Sequence, residues 1–258
     1  MFKALILAAG SGKRMGKYGL DKPKGLLEFN GRSLIEWQLQ QFRKQGIKEI
    51  AIVTGYHHEL IQFPDIQYFH NPKYAETNML ESLMAARNFL TNNTVISYAD
   101  IIFDQSLLKK ALAFSGDIGI SVDTDWRGYW QQRYNDTECD LESLDVKQGK
   151  ICSLGKPVDN SSGIEYRYVG LNVFSITGLK KLLTCYDHQK NTGAPWPQSG
   201  KPFLMGYMTD LINEIIKSGQ AVLPIVNQRG WFEFDTAEDF ETMQSLLTTR
   251  KIPPNFFN

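Results

Sequence analysis

Residues 6–25 read ILAAGSGKRMGKYGLDKPKG, and no other stretch constrains the chain so tightly. An apolar run, Leu5 to Ala9, breaks into Gly10, Ser11 and Gly12, then Lys13, Arg14 and Lys17, then Lys22-Pro23-Lys24. A buried strand that empties into glycines and cations suits a row of phosphate groups. Glycine lets backbone N–H groups approach an anion closely, and lysine and arginine neutralise it. The familiar alternatives do not fit. No Gly-Lys-Ser/Thr closes a P-loop, and Gly10-x-Gly12 lacks a third glycine at the dinucleotide-binding spacing. Cations placed after the glycines point instead to a nucleoside triphosphate held by a loop.

The rest of the chain is consistent with one domain built around that strand. Its 258 residues suffice to bury a sizeable core. The 28 Lys and Arg balance the 28 Asp and Glu, so no global charge points to nucleic acid or an anionic membrane. No apolar stretch is long enough to span a bilayer, and the apolar start runs straight into Gly, Lys and Arg rather than an export cleavage site. Cys139, Cys152 and Cys185 are odd in number and lack a Cys-x-x-Cys spacing, and His57, His58, His70 and His188 lack metalloprotease spacing. The reading is a reduced, cytoplasmic protein with neither a disulfide framework nor a zinc site.

Periodicity predicts alternating strands and helices. Strands are expected at 4–8, 49–54, 94–98 and 117–122, and helices at 34–42, 78–90 and 107–114, with Ser33 and Asp104 as N-caps. Residues 169–174 read as a return to the main sheet. Beyond them come a helix at 203–218, strands at 221–226 and 231–234, and a last helix at 237–247. This rhythm implies an α/β fold: a mixed, mostly parallel central sheet with helices on both faces. The segment at about 124–168 shows no amphipathic helix and reads as a β-rich insertion that lies over the cleft and shapes the acceptor pocket. Ligands of such sheets sit outside the C-terminal strand ends, where residues 10–24 and Asp100 both fall. The tail from 250, with two prolines and two phenylalanines, either wraps back on the body or meets a second subunit.

The N-terminal stretch resembles the signature of the nucleotidyltransferases that join a nucleoside monophosphate to a phosphorylated small molecule. These include sugar-1-phosphate nucleotidyltransferases and bacterial choline-phosphate and aminoethylphosphonate cytidylyltransferases. The matching residues are Leu7-Ala8-Ala9-Gly10-Ser11-Gly12-Lys13-Arg14-Met15, then Pro23-Lys24, Leu26-Leu27 and Ser33-Leu34-Ile35. The resemblance implies a Rossmann-like fold, with Arg14 and Lys24 on the triphosphate and Mg²⁺ on two aspartates that correspond to Asp100 and Asp235. Asp100 ends an apolar strand, where a hard cation with oxygen ligands is favoured. Asp235 opens Asp-Thr-Ala-Glu-Asp and also reads as a helix N-cap, and Glu233 beside it competes for the metal. Lys156 resembles the lysine that meets the acceptor's phosphate, although Gly155 stands where the family has glutamate; a surface turn is the equal alternative. Asn172 falls in the same block.

The run from Tyr74 to Leu83 resembles the choline-phosphate enzymes, which places Asn78 and Ser82 at the base and ribose, Ala99 beside them, and tilts the nucleotide to CTP. On a helix Asn78 and Ser82 share a face, while Asn78 is equally a helix cap. Trp126, Tyr129, Trp130 and Tyr134 crowd together among acids, which suits a quaternary ammonium such as phosphocholine's. Trp126 and Trp130 are thus the expected acceptor contacts, unless they fill a small core beneath the insertion. The expectation is a Mg²⁺-dependent cytidylyltransferase acting on CTP and a small phosphorylated or phosphonate acceptor, with oligomeric state open. A sugar-1-phosphate nucleotidyltransferase is the runner-up. An idle nucleotide-sensing domain predicts loss of Asp100, Asp235 or Lys24, and all three are present. A module whose aromatics bind a partner protein leaves the triphosphate loop unexplained.

Overall fold

The structure is a computed structural model that describes residues 1–257. Strand β1 (Lys3–Ala8) is buried along its whole length, as expected of a strand covered on both faces. A small hairpin, β2 (Glu28–Phe29) and β3 (Arg32–Ser33), leads into helix α1 (Leu34–Lys44). That helix begins where the sequence says it should. The Ser33 hydroxyl accepts from the Glu36 N–H, and the Glu36 carboxylate accepts from the Ser33 N–H. Then follow β4 (Ile50–Thr54), β5 (Gln67–His70), α2 (Met79–Ala85), β6 (Thr94–Tyr98), β7 (Ile101–Phe103), α3 (Gln105–Leu112) and β8 (Ile118–Asp123). The helix expected over 78–90 is shorter: α2 stops at Ala85 and a separate 3₁₀ turn covers Arg87–Phe89.

The insertion departs from expectation at its start. Residues Trp126–Tyr134 form a helix, α4, before the hairpin of β9 (Glu142–Lys147) and β10 (Lys150–Pro157). Its buried side is Trp126, Tyr129, Trp130 and Arg133, a helical spacing whose charged last member disguises it. After β11 (Arg167–Phe174) comes a helix that the periodicity left unassigned, α5 (Ile176–Thr192). Then come α6 (Met208–Lys217), β12 (Leu223–Asn227), β13 (Trp231–Glu233) and α7 (Ala237–Thr248).

Seven strands make the main sheet, in the order β12-β8-β11-β6-β1-β4-β5. All neighbours are parallel except β11, which runs antiparallel to both β6 and β8. Reversal of β11 puts its first residues, Arg167 and Tyr168, at the edge where β6 and β1 end. Alternate residues of β1 feed separate cores. Ala4, Ile6 and Ala8 pack with α1, α3, α4 and α7, whereas Leu5 and Leu7 pack with α2, α5 and α6. The tail turns back on the body: Phe256 meets Phe232 at 4.7 Å between ring centres, and Phe257 meets Trp37 at 4.9 Å.

Candidate active site

Beyond β1 the chain leaves the sheet as a loop with left-handed turns. Gly12 has φ 60°, and a Cβ there would stand 3.2 Å from the Lys24 Cβ. Glycine is therefore required twice over, for conformation and for the close approach of Lys24. The Met15 N–H donates to the Gly12 carbonyl at 2.9 Å, and the wholly buried Met15 side chain pins the loop to the core. Pro23 then opens a 3₁₀ turn, Lys24–Leu26, that lifts Lys24 over the strand ends. Next to it, Gly25 lies against Ile35 and Ala99, with no room for a Cβ.

Lys24 joins two carboxylates that are far apart in the chain. Its Nζ donates to Asp100 Oδ2 and to Asp235 Oδ1, each at 2.9 Å. Asp100 follows β6, whose Tyr98 is level with Leu7 of β1. Asp235 arrives through a short ladder between β13 and β7 that aligns Glu233 with Ile101. The Phe234 N–H then donates to the Asp100 carbonyl at 2.9 Å, and the two aspartates come together. Asp235 does not cap α7. Thr236 does, in a capping box with Asp239, which frees the Asp235 carboxylate for Lys24 and for Arg14 at 3.0 Å.

Charge in this cluster is strongly coupled. Burial alone would lower the Lys24 pKa, but Asp100 and Asp235 more than offset it and hold the ammonium above the ordinary lysine range. For Asp235 burial works upward, and Lys24 and Arg14 overcome it and hold the carboxyl below the usual range. Behind them lies a buried support. The Arg133 guanidinium makes a two-pronged contact with Asp239, at 2.8 and 2.7 Å, and reaches Glu233 at 2.7 Å. Burial, then Asp235, push the Glu233 carboxyl upward, with Arg133 pulling the other way. Glu233 is thus engaged by Arg133 rather than standing open beside Asp235.

Next to the cluster lies a cavity of about 350 Å³. Every residue assigned to the nucleotide from sequence borders it: Leu7 to Arg14, Lys24, Asn78, Ser82 and Ala99, with Asp100 at its edge. Asn78 is also the cap of α2, its Oδ1 accepting from the Met79 N–H at 2.8 Å. Ser82 accepts from Asn71 Nδ2 at 3.0 Å. Tyr74, Thr77, Met79 and Tyr98 border the cavity too and were not foreseen, although the first three lie in the run already read as the base-binding segment.

The expected acceptor contacts fare differently. Trp126 and Trp130 are wholly buried, so neither offers a face to a ligand. Their rings pack edge to face at 5.7 Å, and the faces carry guanidinium groups: Arg127 on Trp126 at 4.5 Å, and Arg167 on Trp130 at 4.5 Å. The ammonium-sized positions are filled by the protein's own arginines. Lys156 is exposed on β10 and does not border the cavity. Asn172 is wholly buried on β11, and its Nδ2 donates to the Tyr168 hydroxyl at 2.8 Å rather than facing the cavity. On that side Tyr98 borders the cavity, and its hydroxyl lies 2.8 Å from that of Tyr168. Burial pushes both phenols up, and it pushes the Glu142 carboxyl up against the pull of Arg167.

Among the described residues no group of three or more His, Cys, Asp or Glu is placed to hold a metal unaided. A site completed by substrate needs fewer protein ligands, since Mg²⁺ is commonly held by one or two carboxylates plus phosphate oxygens. Asp100 and Asp235 fit that pattern. Asp100 Oδ1 is buried with no hydrogen-bond partner among the described residues, an acceptor left open to a cation.

Known proteins resemble this chain in sequence and in fold. Residues 4–137 match the family model of the MobA-like NTP transferase domain. The CTP:phosphoglutamine cytidylyltransferase of Campylobacter jejuni is 30% identical over 249 residues, covering 92% of this chain and 97% of that protein. The choline-phosphate cytidylyltransferase of Streptococcus pneumoniae is 24% identical over 250 residues, covering 95% of this chain and 98% of the relative. A solved structure of the CTP:phosphocholine cytidylyltransferase of S. pneumoniae superposes with a TM-score of 0.75 at 21% identity, covering 95% of this chain and 99% of that one. The glycine-rich loop, Lys24 and Asp100 all lie within the matched stretch, more than half of the chain, and the chain belongs to the family of MobA-like NTP transferase domains.

Proposed function

We propose that this nucleotidyltransferase is a Mg²⁺-dependent cytidylyltransferase that moves CMP from CTP to a small phosphorylated or phosphonate acceptor with an amino or ammonium headgroup, releasing pyrophosphate. The observation that carries the reading is the meeting of Lys24, Arg14 and Asp100, which border the cavity, with Asp235, which bonds to Lys24 and Arg14, from positions up to 221 residues apart. Relatives similar over nearly their whole length are named for CTP and for phosphorylated acceptors, which supports CTP over the other nucleotides. We read residues 1–258 as one domain in which the insertion at about 124–168 braces the metal-side carboxylates.

The chemistry follows from charge. An oxygen of the acceptor's phosphate or phosphonate attacks the α-phosphorus in line, the bond to the bridging oxygen breaks, and pyrophosphate leaves. No covalent enzyme intermediate is needed. Backbone N–H groups of residues 10–12 cradle the triphosphate, and Arg14 and Lys24 take up charge that grows on the departing phosphates. Asp100 and Asp235 would hold Mg²⁺, which supplies positive charge to the phosphate oxygens. The remaining contribution is positional: two anions that repel in water are held side by side.

A pyrophosphate-release screen tests this directly. The four NTPs are crossed with phosphocholine, 2-aminoethylphosphonate, a phosphorylated amino-acid amide and sugar 1-phosphates. Turnover with CTP and an amine-bearing acceptor is expected. Turnover only with a sugar 1-phosphate and another nucleotide would overturn both the CTP and the acceptor assignments, and leave the nucleotidyltransferase standing.

A further inference from the structure

Asp100 is placed by the sheet itself, two residues past β6, whereas Asp235 hangs on the turn between β13 and α7. What fixes that turn is buried behind it. Asp239, in the first turn of α7, has a side chain that is almost wholly buried. Its Oδ2 accepts from the N–H groups of Asp235 and Thr236, each at 2.9 Å, and from Arg133 Nη2 at 2.7 Å. Its Oδ1 accepts from Arg133 Nε at 2.8 Å. A capping box needs only the Thr236 bond. Here the same carboxylate is also taken out of water, given a guanidinium and extended to the Asp235 N–H.

Arg133 reaches this turn from α4, and its side chain is wholly buried. All three of its nitrogens go to acids: Nε and Nη2 to Asp239, and Nη1 to Glu233 at 2.7 Å. Nη2 also lies 3.7 Å from Asp235 Oδ2. The two oxygens of Asp235 thus have different surroundings. Oδ2 faces the buried guanidinium, and Oδ1 faces Lys24 and Arg14 at 2.9 and 3.0 Å. Burying a cation with its acids adds little net stability, since apolar side chains of the same volume often do as well. What a forked guanidinium adds is direction, fixed by two bonds to one carboxylate. We propose that Arg133, acting through Asp239, is a positioning residue that holds the Asp235 carboxylate at the angle from which it meets the ion on the nucleotide's phosphates. The inference rests on the reading of Asp100 and Asp235 as a Mg²⁺ site and names the groups that aim one of its ligands. Arg133 does not border the cavity, so it acts through the acids alone.

The probe is α,β-methylene-CTP, whose α–β bridge cannot be cleaved, titrated calorimetrically in EDTA and again with saturating Mg²⁺. The ratio of the two affinities isolates the ion's contribution without any turnover. Arg133→Lys keeps the charge and loses the fork. It lowers that ratio by about tenfold to a hundredfold, the usual effect of altering a group that orients a metal ligand, and leaves the affinity in EDTA within about twofold of wild type. Asp239→Asn runs beside it: its amide oxygen still accepts from the Thr236 N–H, and it no longer pairs with the guanidinium. Leu182→Ala, a cavity in the buried side of α5 within the other core, serves as the control for lost stability and leaves the ratio unchanged.

An unchanged ratio in Arg133→Lys overturns the proposal, and so does a loss of equal size in EDTA, which marks a merely structural role. If Arg133→Lys does not fold, Asp239→Asn decides by the same two criteria. A ratio that falls as far in Leu182→Ala overturns it as well. Failure of the broader reading looks different: a wild-type protein whose nucleotide affinity gains nothing from Mg²⁺ has no metal site for Arg133 to aim.

Discussion

The two sides of the cleft are built in opposite ways. On the β1 side, eight consecutive residues from Leu7 to Arg14 border the cavity. On the β11 side the polar groups come from remote pieces, Tyr98 from β6, Tyr168 from β11, Asp235 beyond β13 and Glu142 from β9, and Tyr98 is the one of these that borders the cavity. The difference reflects what each side has to bind. A triphosphate is held by backbone N–H groups, which any chain supplies if glycines let it turn correctly, so one contiguous loop suffices. Placing carboxylates and phenols accurately takes buried supports, and those come from wherever the fold brings them. Arg133, gripping Asp239 and Glu233 from α4, is such a support.

The comparison breaks most visibly if the tryptophans of α4 are ligand contacts after all. Trp130→Ala should lose about 3–5 kcal/mol of stability, as expected for deleting a buried aromatic, with the acceptor's KM unchanged in the fraction that stays folded. Chemical denaturation beside steady-state kinetics checks this. A stable variant with a KM raised on the order of thirtyfold would restore the aromatic cage.

On the β1 side, Lys24→Ala should lower kcat by roughly a hundredfold or more and alter the KM for CTP less, because charge on the leaving phosphates grows in the transition state. Lys22 borders neither the cavity nor the carboxylates, and Lys22→Ala should stay within about threefold of wild type on the scale of a weak surface charge. Equal effects would mean that the loop does not select Lys24. Smallest of all is Lys156→Ala. An exposed side chain outside the cavity should shift the acceptor's KM by less than about twofold. A tenfold rise would put β10 over the acceptor.

Much of the β1 side was legible because its signals are local. The loop, the Ser33–Glu36 capping box and the Asp104 cap are each written in a few adjacent residues, and Asp104 does accept from the Leu107 N–H at 2.9 Å. Helix α4 has the right spacing, but it buries Arg133, and a pattern that looks for apolar residues passes over a buried cation whose partners lie 100 and 106 residues away. Helix α5 escaped for a related reason: its buried side includes Gly178 and Gln189. Tryptophan faces among acids suit an ammonium equally well whether it belongs to a ligand or to Arg167, and only tertiary contacts decide between them. Nor does local sequence tell whether Asp235 or Thr236 caps α7, since both are good caps.

The central claim is that Asp100 and Asp235, brought together by the ladder of β7 and β13, act as one site on the α-phosphate of CTP. The most direct test is kcat for pyrophosphate release by Asp235→Asn at saturating CTP, Mg²⁺ and acceptor, with Asp100→Asn run in parallel. The account predicts that each variant melts near the wild-type temperature and turns over about 10²–10³-fold more slowly, since a neutral amide cannot balance a divalent ion. Near-normal kcat in either variant would contradict it.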